Sequence, residues 1–325
     1  MNYSTEISAG HSGGPFELTA LAASNDISYL LKKNPYGHVH SVFNTSFNLA
    51  FGDHLVHFGA LDNGLAPFGI GLETAHAQLL TKLLAANQKV YWDEVSSMLI
   101  FPSAIFLSLR HVKWTNHKLE PAQYQLSYLK DNFEFVAGRL LQADWQTGLA
   151  ETEEEKKQII DYLLDSLASY KEVPVLYQLN TLENLICGHE EIDAENVFHY
   201  WIGRGLGLTP SGDDVITGIC SVFSVLEGSN QVFLQQLTSY LAEHGRQRTT
   251  HIALEYLLYA TENKFHSHLV ELLSIMDKPR GSEFLTVLEE IKKIGHTSGA
   301  DTLIGVLMGI KAAAIYRERK KGDYY

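Results

Sequence analysis

Two similar segments in the second half of the chain constrain its fold more than any other feature. Residues 203–214 read GRGLGLTPSGDD and lead into VITGICSVF, while residues 295–301 read GHTSGAD and lead into TLIGVLMG. Both continuations have the length of a helix and are hydrophobic on nearly every side, so each predicted helix must be buried. The chain is therefore expected to contain two buried helices that begin from similar turns.

The two segments align as a degenerate internal repeat. With one gap at Pro210, the equivalent pairs are Thr209 and Thr297, Ser211 and Ser298, Gly212 and Gly299, Asp214 and Asp301, and Gly218 and Gly305. The last two glycines lie inside the predicted helices, where a residue without a side chain lets two backbones approach closely. If the helices pack there, both turns open at the same end. We therefore predict that residues 295–301 lie beside residues 203–214.

Helix capping accounts for part of this pattern. Each copy contains Ser-x-x-Asp, in which the serine oxygen and the carboxylate satisfy exposed backbone N–H groups at a helix start. Capping does not explain Gly205 and Gly207 before the first turn, the second carboxylate of Asp213, or His296 beside the second turn. If the two motifs only cap helices, their similarity is a coincidence. We therefore favour the hypothesis of a shared functional site.

The residue types of the two turns indicate what such a site would bind. A helix N-terminus approached by flexible glycines presents several N–H groups to an anion. The carboxylates of Asp213, Asp214 and Asp301 would repel a bare phosphate, so a divalent cation or amide and amino hydrogens are their natural companions. Both alternatives stay open, and Mg²⁺ is the candidate cofactor.

An arginine pair lies between the two turns in sequence. Residues 243–250 read EHGRQRTT, which places Arg246 and Arg248 in a predicted loop before a helix that Thr249 or Thr250 caps. A guanidinium binds a carboxylate or a phosphate through two parallel hydrogen bonds. The pair is either surface charge or an anion clamp, and its position between the matching turns favours the clamp.

The chain divides into a β part and an α part. Residues 39–72 alternate partially between apolar and polar types and contain turn signals, which predicts a strand meander, and residues 97–114 predict two strands separated at Pro102. After Pro121 the apolar spacing becomes helical. We therefore predict an α+β fold, with a mainly β domain over residues 1–118 and an α-helical domain over residues 119–325.

The helical spacing also gives approximate bounds for individual helices. They are predicted at residues 75–87, from the charged patch 151–157 to 170, and at residues 193–201, 214–226, 231–244, 249–260, 266–275, 282–294 and 301–317.

Composition excludes several classes of function. The 38 Asp and Glu residues outnumber the 25 Lys and Arg residues, giving a net charge of −13 without a long basic block, so no nucleic-acid partner is expected. Cys187 and Cys220 cannot form a secreted disulfide framework and are predicted to be reduced and buried. The chain start lacks the pattern of a signal peptide, and apolar residues 303–310 are far shorter than the ~20 residues that span a bilayer. We expect a cytoplasmic protein without a membrane partner.

Two further clusters carry less weight. His38, His40, His54 and His57 lie in the β part, but strand neighbours two apart share a face without forming a tetrahedral set, and no Cys accompanies them. No histidine metal site is therefore predicted. Residues 10–14, GHSGG, are predicted as a flexible turn whose serine and histidine could reach a substrate.

Four segments together resemble the AllH family, named for a subunit of bacterial oxamate carbamoyltransferase. They are residues 203–218 (GRGLGLTPSGDDVITG), 248–260 (RTTHIALEYLLYA), 295–305 (GHTSGADTLIG) and, more weakly, 40–48 (HSVFNTSFN). The resemblance implies carbamoyl transfer between oxamate and carbamoyl phosphate, used in allantoin degradation to phosphorolyse oxalurate. It also implies an enzyme made with other subunits.

The resemblance brings no assigned catalytic residues, so the roles follow from the chemistry of the reaction. The oxyanion needs fixed donors, which backbone N–H groups at residues 205–209 and at Gly212 could provide. An amide nitrogen must lose a proton, with His296 the first candidate base and Asp213 the second. The candidate anion-binding side chains are Arg204, Arg246 and Arg248, the further catalytic candidates are Asp214 and Asp301, and the further substrate contacts are Thr209, Ser211, Thr297 and Ser298.

Three hypotheses follow. The leading one is a carbamoyltransferase subunit that binds small anionic substrates and works with other subunits, as a homo-oligomer, or both. The rival is a non-catalytic partner that binds an anionic metabolite and organises the subunits that hold the chemistry. The third is a Mg²⁺-dependent hydrolase that uses the three aspartates, which loss of activity in chelator with water as the acceptor would identify.

Overall fold

The α+β class is confirmed by a computed structural model, which describes residues 16–164 and 173–322. The chain forms two compact units. The first holds the chain up to Leu61 together with Ile70–Trp114, and the second holds Asp62–Gly69 together with the chain from Thr115 onward. The predicted turn at residues 10–14 and the predicted helix end at residue 170 lie outside the described residues.

The first unit is built on a curled ten-stranded sheet. Its strands are β1 (Phe16–Thr19), β2 (Ala22–Ser24), β3 (Tyr36–Val42), β4 (Ser46–Phe51), β5 (His54–Ala60), β6 (Gly69–Leu72), β7 (Lys89–Asp93), β8 (Met98–Phe101), β9 (Ile105–Ser108) and β10 (Lys113–Thr115). Their order is β1-β9-β8-β7-β3-β4-β5-β6-β2-β10. The predicted meander is thus β3 to β6, and the division at Pro102 separates β8 from β9.

Strand pairing in this sheet is mainly antiparallel. Strands β3, β4 and β5 form consecutive antiparallel pairs, in which Asn48 faces His57 and Phe47 faces Phe58, whereas β1 runs parallel to β9. The β3–β4 register shifts between Val39 and Ser41. The Phe47 and Phe58 rings stack with centroids 4.6 Å apart, so aromatic cross-strand packing stabilises the centre of the sheet.

Two helices, α1 (Asn25–Lys33) and α2 (Thr74–Leu83), belong to the first unit. Helix α1 buries Ile27, Leu30 and Leu31, and α2 packs on β4 and β5 through Ala77 and Leu80. The sequence pattern did not predict helix α1 or strands β1, β2 and β7. Each of these elements is short, and its apolar residues do not follow a single clear period.

The second unit is helical. Its helices are α3 (Leu126–Leu140), α4 (Glu153–Leu164), α5 (Pro174–Ile186), α6 (Ala194–Trp201), α7 (Ser211–Val225), α8 (Gln231–Arg248), α9 (His251–Thr261), α10 (Ser267–Ile275), α11 (Ser282–Lys292) and α12 (Ser298–Gly322). Helix α9 is capped as predicted, because the Thr250 hydroxyl accepts a hydrogen bond of 3.0 Å from Ala253 N. Both cysteines are free and buried, which confirms the prediction.

Several predicted helix bounds need correction, among them the end of the helix predicted at residues 75–87, because α2 ends at Leu83. Helices α7 and α12 begin at Ser211 and Ser298, three residues earlier than predicted, so both serines lie inside their helices. Helix α8 continues to Arg248, so the arginine pair lies in a last helical turn and not in a loop. The predictions ended α8 at a histidine-glycine pair, whose low helix propensity is outweighed here by tertiary packing.

The contact between α7 and α12 organises the second unit. A Cβ atom added at Gly218 would lie 2.2 Å from Thr302 O, and one added at Gly305 would lie 2.1 Å from Val215 O. These distances leave room for hydrogen only. The two glycines therefore set the close approach of the helices, as their equivalent positions in the repeat predict.

Helix α12 is longer than the sequence indicated. The 20 residues Ser298–Arg317 are long and apolar enough to cross a membrane, with a mean hydropathy of 1.4, so the expectation that this apolar segment ends at residue 310 was wrong. However, 78% of its most apolar 18-residue stretch is buried within the protein. Lys311 does not interrupt it, because its Nζ donates hydrogen bonds of 3.0 Å to Tyr162 O and to Glu183 Oε2. These features are those of a core helix of a folded domain.

Candidate functional site

The two repeated motifs lie side by side, as predicted. The serine of each motif forms a hydrogen bond with the aspartate of the other motif. The Ser211 hydroxyl of α7 donates to the Asp301 carboxylate of α12, and the Ser298 hydroxyl of α12 donates to the Asp214 carboxylate of α7. Thr209 Oγ1 lies 2.8 Å from Ser298 Oγ. Each serine therefore serves the aspartate of the other motif.

This exchange corrects the predicted capping role of the serines. Pro210 occupies the cap position of α7 and makes no side-chain cap hydrogen bond, while Ser211 is the first helical residue. The hydroxyl of Ser211 is thus directed across the pair of helices and not back along its own helix. The Ser-x-x-Asp pattern fits both arrangements, and only the packing of α7 on α12 distinguishes them.

Asp301 is held by a dense set of donors. Its carboxylate accepts hydrogen bonds from the hydroxyls of Thr147, Ser211 and Thr297, and from Gly148 N at 3.2 Å to Oδ1 and 3.3 Å to Oδ2. Burial raises the pKa of Asp301, and these donors oppose that shift. Asp301 is therefore an anchor for the segment that contains Thr147 and Gly148.

This segment, residues 147–148, covers the starts of both helices. A Cβ atom added at Gly148 would lie 2.1 Å from Ser211 Oγ and 3.3 Å from Thr297 Oγ1. The space that the sequence analysis assigned to a ligand of the paired turns is thus filled by the protein's own backbone. Sequence reasoning missed this segment because its partner is 153 residues away along the chain and nothing in its local composition signals the contact.

Asp214 has the most unusual electrostatic environment of the site. Burial raises its pKa well above the usual value, the neighbouring Asp301 carboxylate raises it further, and the Ser298 hydroxyl opposes the shift. Its Oδ2 atom is buried and has no hydrogen-bond partner in the described part of the chain. Asp301 has several donors and Asp214 has fewer, so of this close pair Asp214 is the one that keeps its proton.

Asp213 is directed away from the helix pair, towards the loop that precedes α7. Its Oδ1 accepts a hydrogen bond of 2.8 Å from Gly203 N, and its Oδ2 accepts one from the Thr249 hydroxyl. Burial raises the pKa of Asp213 to about 6. Because both oxygens are occupied, Asp213 ties the start of the loop to the junction of α8 and α9.

The loop between α6 and α7, residues 203–210, is fixed at both ends. Gly212 N donates to Arg204 O at 2.8 Å, and Thr250 Oγ1 donates to Leu208 O. Gly203, Gly205 and Gly207 have φ angles of +79°, +122° and +91°, a region that side chains disfavour. These glycines therefore allow the tight path that capping alone left unexplained.

An open cavity of 550 Å³ lies beside this loop. It is lined by Asn196, His199, Tyr200, Ile202, Gly203, Arg204, Gly205 and Arg248. The described lining residues thus include two arginines and no carboxylate, in a chain whose net charge is −13. We call it the arginine cavity.

Both arginines of this cavity are held by neighbouring groups. The Arg204 guanidinium lies over the Tyr200 ring, 4.3 Å from its centroid. Arg248 Nη2 donates to His199 O, and the guanidinium also hydrogen bonds the Tyr240 hydroxyl. Its Nε is buried without a hydrogen-bond partner in the described part of the chain. Neither guanidinium has a carboxylate partner among the described residues, which leaves their charge available to an anion.

Two other predicted residues lie elsewhere. Arg246 is exposed in the last turn of α8 and does not line the arginine cavity. His296 is exposed and lines a separate cavity of 410 Å³ with Thr147, Lys156 and Thr297 among its neighbours. The structure thus brings Arg204, Gly205 and Arg248 together, and it separates the arginines from the first candidate base.

The geometry gives no support to metal binding. In the described part of the chain, no group of three or more His, Cys, Asp or Glu side chains is arranged to hold a metal ion. The hydrogens of hydroxyl and amide groups occupy the places around Asp213 and Asp301 that a Mg²⁺ ion would need. In the first unit, His57 Nδ1 bonds Asn48 Oδ1 at 2.9 Å, and burial lowers the pKa of His57 to about 4.

The fold and the site define a class: an α+β protein in which a curled sheet precedes a helical unit with two interlocked helix starts. One family model, described as the AllH family N-terminal domain, matches residues 19–114, and a second, described as oxamate carbamoyltransferase subunit AllH, matches residues 201–310. The chain belongs to the AllH family. The second match contains both motifs and both arginines of the cavity. No solved structure matches the chain.

Proposed function

We propose that this chain is the subunit of an oxamate carbamoyltransferase that holds the anionic substrate, and that the arginine cavity is where the substrate binds. One observation carries this proposal: two arginines without carboxylate partners among the described residues line an open cavity beside the GRGLGLTPSGDD segment, within the part of the chain that the second family model matches. Guanidinium groups suit oxamate, oxalurate and carbamoyl phosphate, because each carries a carboxylate or phosphate that accepts two parallel hydrogen bonds.

The interlocked helix starts have a positioning role in this proposal. Asp213 holds Gly203 N, and Gly203 and Arg204 form one wall of the cavity. Asp214 and Asp301 join α7 to α12 and hold the 147–148 segment. The three aspartates thus fix the backbone that presents the arginines and do not act on the substrate directly. This assignment replaces their predicted catalytic roles.

The reaction itself requires one proton transfer. The oxamate nitrogen attacks the carbamoyl carbon of carbamoyl phosphate, the bond from that carbon to the phosphate oxygen breaks, and the nitrogen loses a proton to a base. Phosphate leaves with the electron pair, and oxalurate is formed. Among the described lining residues, His199 is the imidazole available to the cavity. Phosphorolysis of oxalurate is the same reaction in reverse.

The finer setting of the enzyme is part of the proposal. Phosphorolysis of oxalurate would deliver carbamoyl phosphate at the end of allantoin degradation in the cytoplasm. The family description names a subunit, so the activity is expected from an assembly of this chain with other subunits. Small anions are the expected ligands of this chain within that assembly.

The test is phosphate-dependent cleavage of oxalurate, measured as carbamoyl phosphate release by the purified chain alone and by the assembled subunits. The assembled enzyme is expected to be active, and replacement of the chain by an Arg248→Ala variant is expected to lower activity by at least about tenfold. Arg280→Ala is the control, because Arg280 lies between α10 and α11, away from the arginine cavity, and its guanidinium packs on α3 at Asp131 O and the Phe135 ring. Wild-type activity of the Arg248→Ala assembly would refute the assignment of the cavity.

A second candidate function is a subunit that binds the anion without taking part in the chemistry. It is favoured by the positions of the three aspartates, whose carboxylates are bound to protein groups and do not line the arginine cavity. His199→Ala distinguishes the two functions. If this chain provides the base, the variant loses turnover with little change in KM, whereas an anion-binding subunit keeps its kcat.

A further inference from the structure

The loop over residues 203–210 exposes apolar side chains at its tip. Leu206 is 95% exposed and Leu208 is 46% exposed, although this chain buries most of its leucines. Nothing lies within 4 Å of a Cβ atom added at Gly207, so the tip projects into open space. Exposed leucines at a projecting tip are a feature of protein contact sites.

The base of this loop is held in place, although its tip is free. Gly203 N is bound by Asp213, Gly212 N is bound to Arg204 O, and Leu208 O is bound by Thr250. A Cβ atom added at Gly205 would lie 2.6 Å from Ser211 N, so the loop also packs directly on the start of α7. A partner can therefore bind the tip without first ordering the loop, which lowers the entropic cost of association.

The arginine cavity, next to the same loop, lacks part of the chemistry that its proposed reaction needs. It offers two guanidinium groups for an anion and one imidazole, but no carboxylate among the described lining residues. The buried aspartates are occupied by Gly203, Thr249, Thr147 and Gly148. We expect a neighbouring chain beside the cavity to supply the further groups that the two arginines and His199 do not provide.

We propose that the 203–210 loop is the docking element for a catalytic partner subunit, which binds Leu206 in an apolar socket and completes the active site over the arginine cavity. This proposal rests on the proposed function. Arg204 belongs to this loop and Arg248 lines the cavity beside it, so positive charge adjoins the apolar tip in a chain of net charge −13, and the partner surface around the socket is expected to be acidic. Leu206 supplies contact energy, and the arginines reach the anionic substrate held between the two chains.

The experiment compares Leu206→Ser with Leu285→Ser, which changes a leucine of α11 that is 46% exposed. Affinity of the full-length chain for the purified other subunits of the enzyme is measured by calorimetry. Leu206→Ser is expected to weaken assembly by at least about tenfold, while Leu285→Ser binds like the wild type. Both variants should unfold at the wild-type temperature, since neither leucine is in the core.

Activity adds a second readout. At saturating partner the Leu206→Ser assembly should recover the wild-type kcat, because the docking contact changes affinity and leaves the reacting groups intact. Wild-type affinity of Leu206→Ser would overturn the proposal, as would a wild-type chain that does not assemble with the other subunits. A change in self-association with unchanged hetero-assembly would also overturn it, because the loop would then bind a second copy.

The outcomes separate the docking proposal from the proposed function. If Leu206→Ser weakens assembly but the wild-type assembly does not cleave oxalurate, the docking element stands and the proposed function fails. If the assembly cleaves oxalurate and Leu206→Ser assembles normally, the function stands and the docking element fails.

Discussion

Ser211 donates a hydrogen bond to the Asp301 carboxylate across the contact between α7 and α12. The repeat supplies the reciprocal bond, from Ser298 to Asp214. The two helix starts are therefore joined by a pair of equivalent bonds that exchange side chains between motifs. This relationship explains why a serine and an aspartate recur at the same spacing in both copies, because the serine of each copy donates a hydrogen bond to the aspartate of the other.

Substitution of either serine should destabilise the second unit. Ser211→Ala leaves Asp301 with one donor fewer, and Ser298→Ala removes the hydroxyl that opposes the raised pKa of Asp214. Because the bonds are to buried carboxyl groups, each variant is expected to lose about 1–3 kcal/mol in urea unfolding. Ser239→Ala, at an exposed hydroxyl of α8, is the control. Equal stabilities of all three variants would contradict the reciprocal arrangement.

Alanine substitutions at Gly218 and Gly305, the two glycines between α7 and α12, should reduce stability, whereas one at an open helical glycine should not. Gly218→Ala and Gly305→Ala each place a methyl group about 2 Å from a backbone oxygen of the facing helix, so the helices must separate. We expect a loss of about 2–4 kcal/mol for each variant in urea unfolding. Gly138→Ala in α3, where nothing lies within 4 Å, should instead be neutral or stabilising by up to about 1 kcal/mol. A similar effect at all three positions would show that backbone propensity, and not the helix contact, determines the outcome.

Asp213 should make stability depend on pH. Its pKa is raised from 3.8 to about 6 in the folded protein, so between these values the folded state binds more protons than the unfolded state. This contribution to stability is therefore fully present below about pH 4 and is lost as the pH rises through 6. The loss is at most about 3 kcal/mol.

Asp213→Asn removes this titration. Relative to the wild type, the variant should therefore gain stability as the pH rises from 4 to 7: its free energy of unfolding minus that of the wild type should increase. Asp161→Asn, at an exposed carboxylate of α4, gives the baseline. A difference between Asp213→Asn and the wild type that stays constant over this range would show that the Asp213 carboxyl is not desolvated in the folded protein.

The 147–148 segment should depend on a single hydroxyl. Thr147→Val keeps the shape of the side chain but removes the donor to Asp301 Oδ1. Amide hydrogen exchange at Gly148 and Leu149 is expected to accelerate, because Gly148 N bonds the same carboxylate and Leu149 N bonds the Thr147 hydroxyl. Thr286→Val in α11 is the control. Unchanged protection at Gly148 would mean that its own bond to Asp301 suffices.

Sequence patterns predicted the parts of this molecule that depend on local periodicity. The α+β order, the division at Pro102 and the pairing of α7 with α12 follow from alternation, proline and the repeated glycines. The actual targets of Ser211 and Asp213 did not follow, because a side chain that can cap its own helix can equally bond a neighbouring helix. The choice depends on packing between residues far apart in sequence, such as Thr249 with Asp213.

The same limit applies to the site. The sequence singled out three arginines by charge and position, but it could not tell which of them share a cavity. Arg248 lines the cavity with Arg204 because α8 extends to residue 248, whereas the helical phase turns Arg246 to solvent. A difference of two residues on a helix rotates a side chain by about 200°, and only the helix end found in the structure settles which side it faces.

Binding of anions by the isolated chain should therefore distinguish the three arginines. A lysine keeps the positive charge but lacks the planar pair of donors, so Arg204→Lys and Arg248→Lys are both expected to weaken binding of oxamate or carbamoyl phosphate by at least about fivefold. Arg248→Lys should have the larger effect, because its Nε is buried without a hydrogen-bond partner in the described part of the chain and the guanidinium is held by His199 O.

Arg246→Lys is the matched control for these variants, since Arg246 belongs to the same helical turn as Arg248 but does not line the cavity. It should bind both anions with wild-type affinity in calorimetry, and all three variants should unfold within a few degrees of the wild type. If Arg246→Lys weakens binding as much as Arg248→Lys does, the anion is attracted by the general charge of the helix end, and the arginine cavity is not its site.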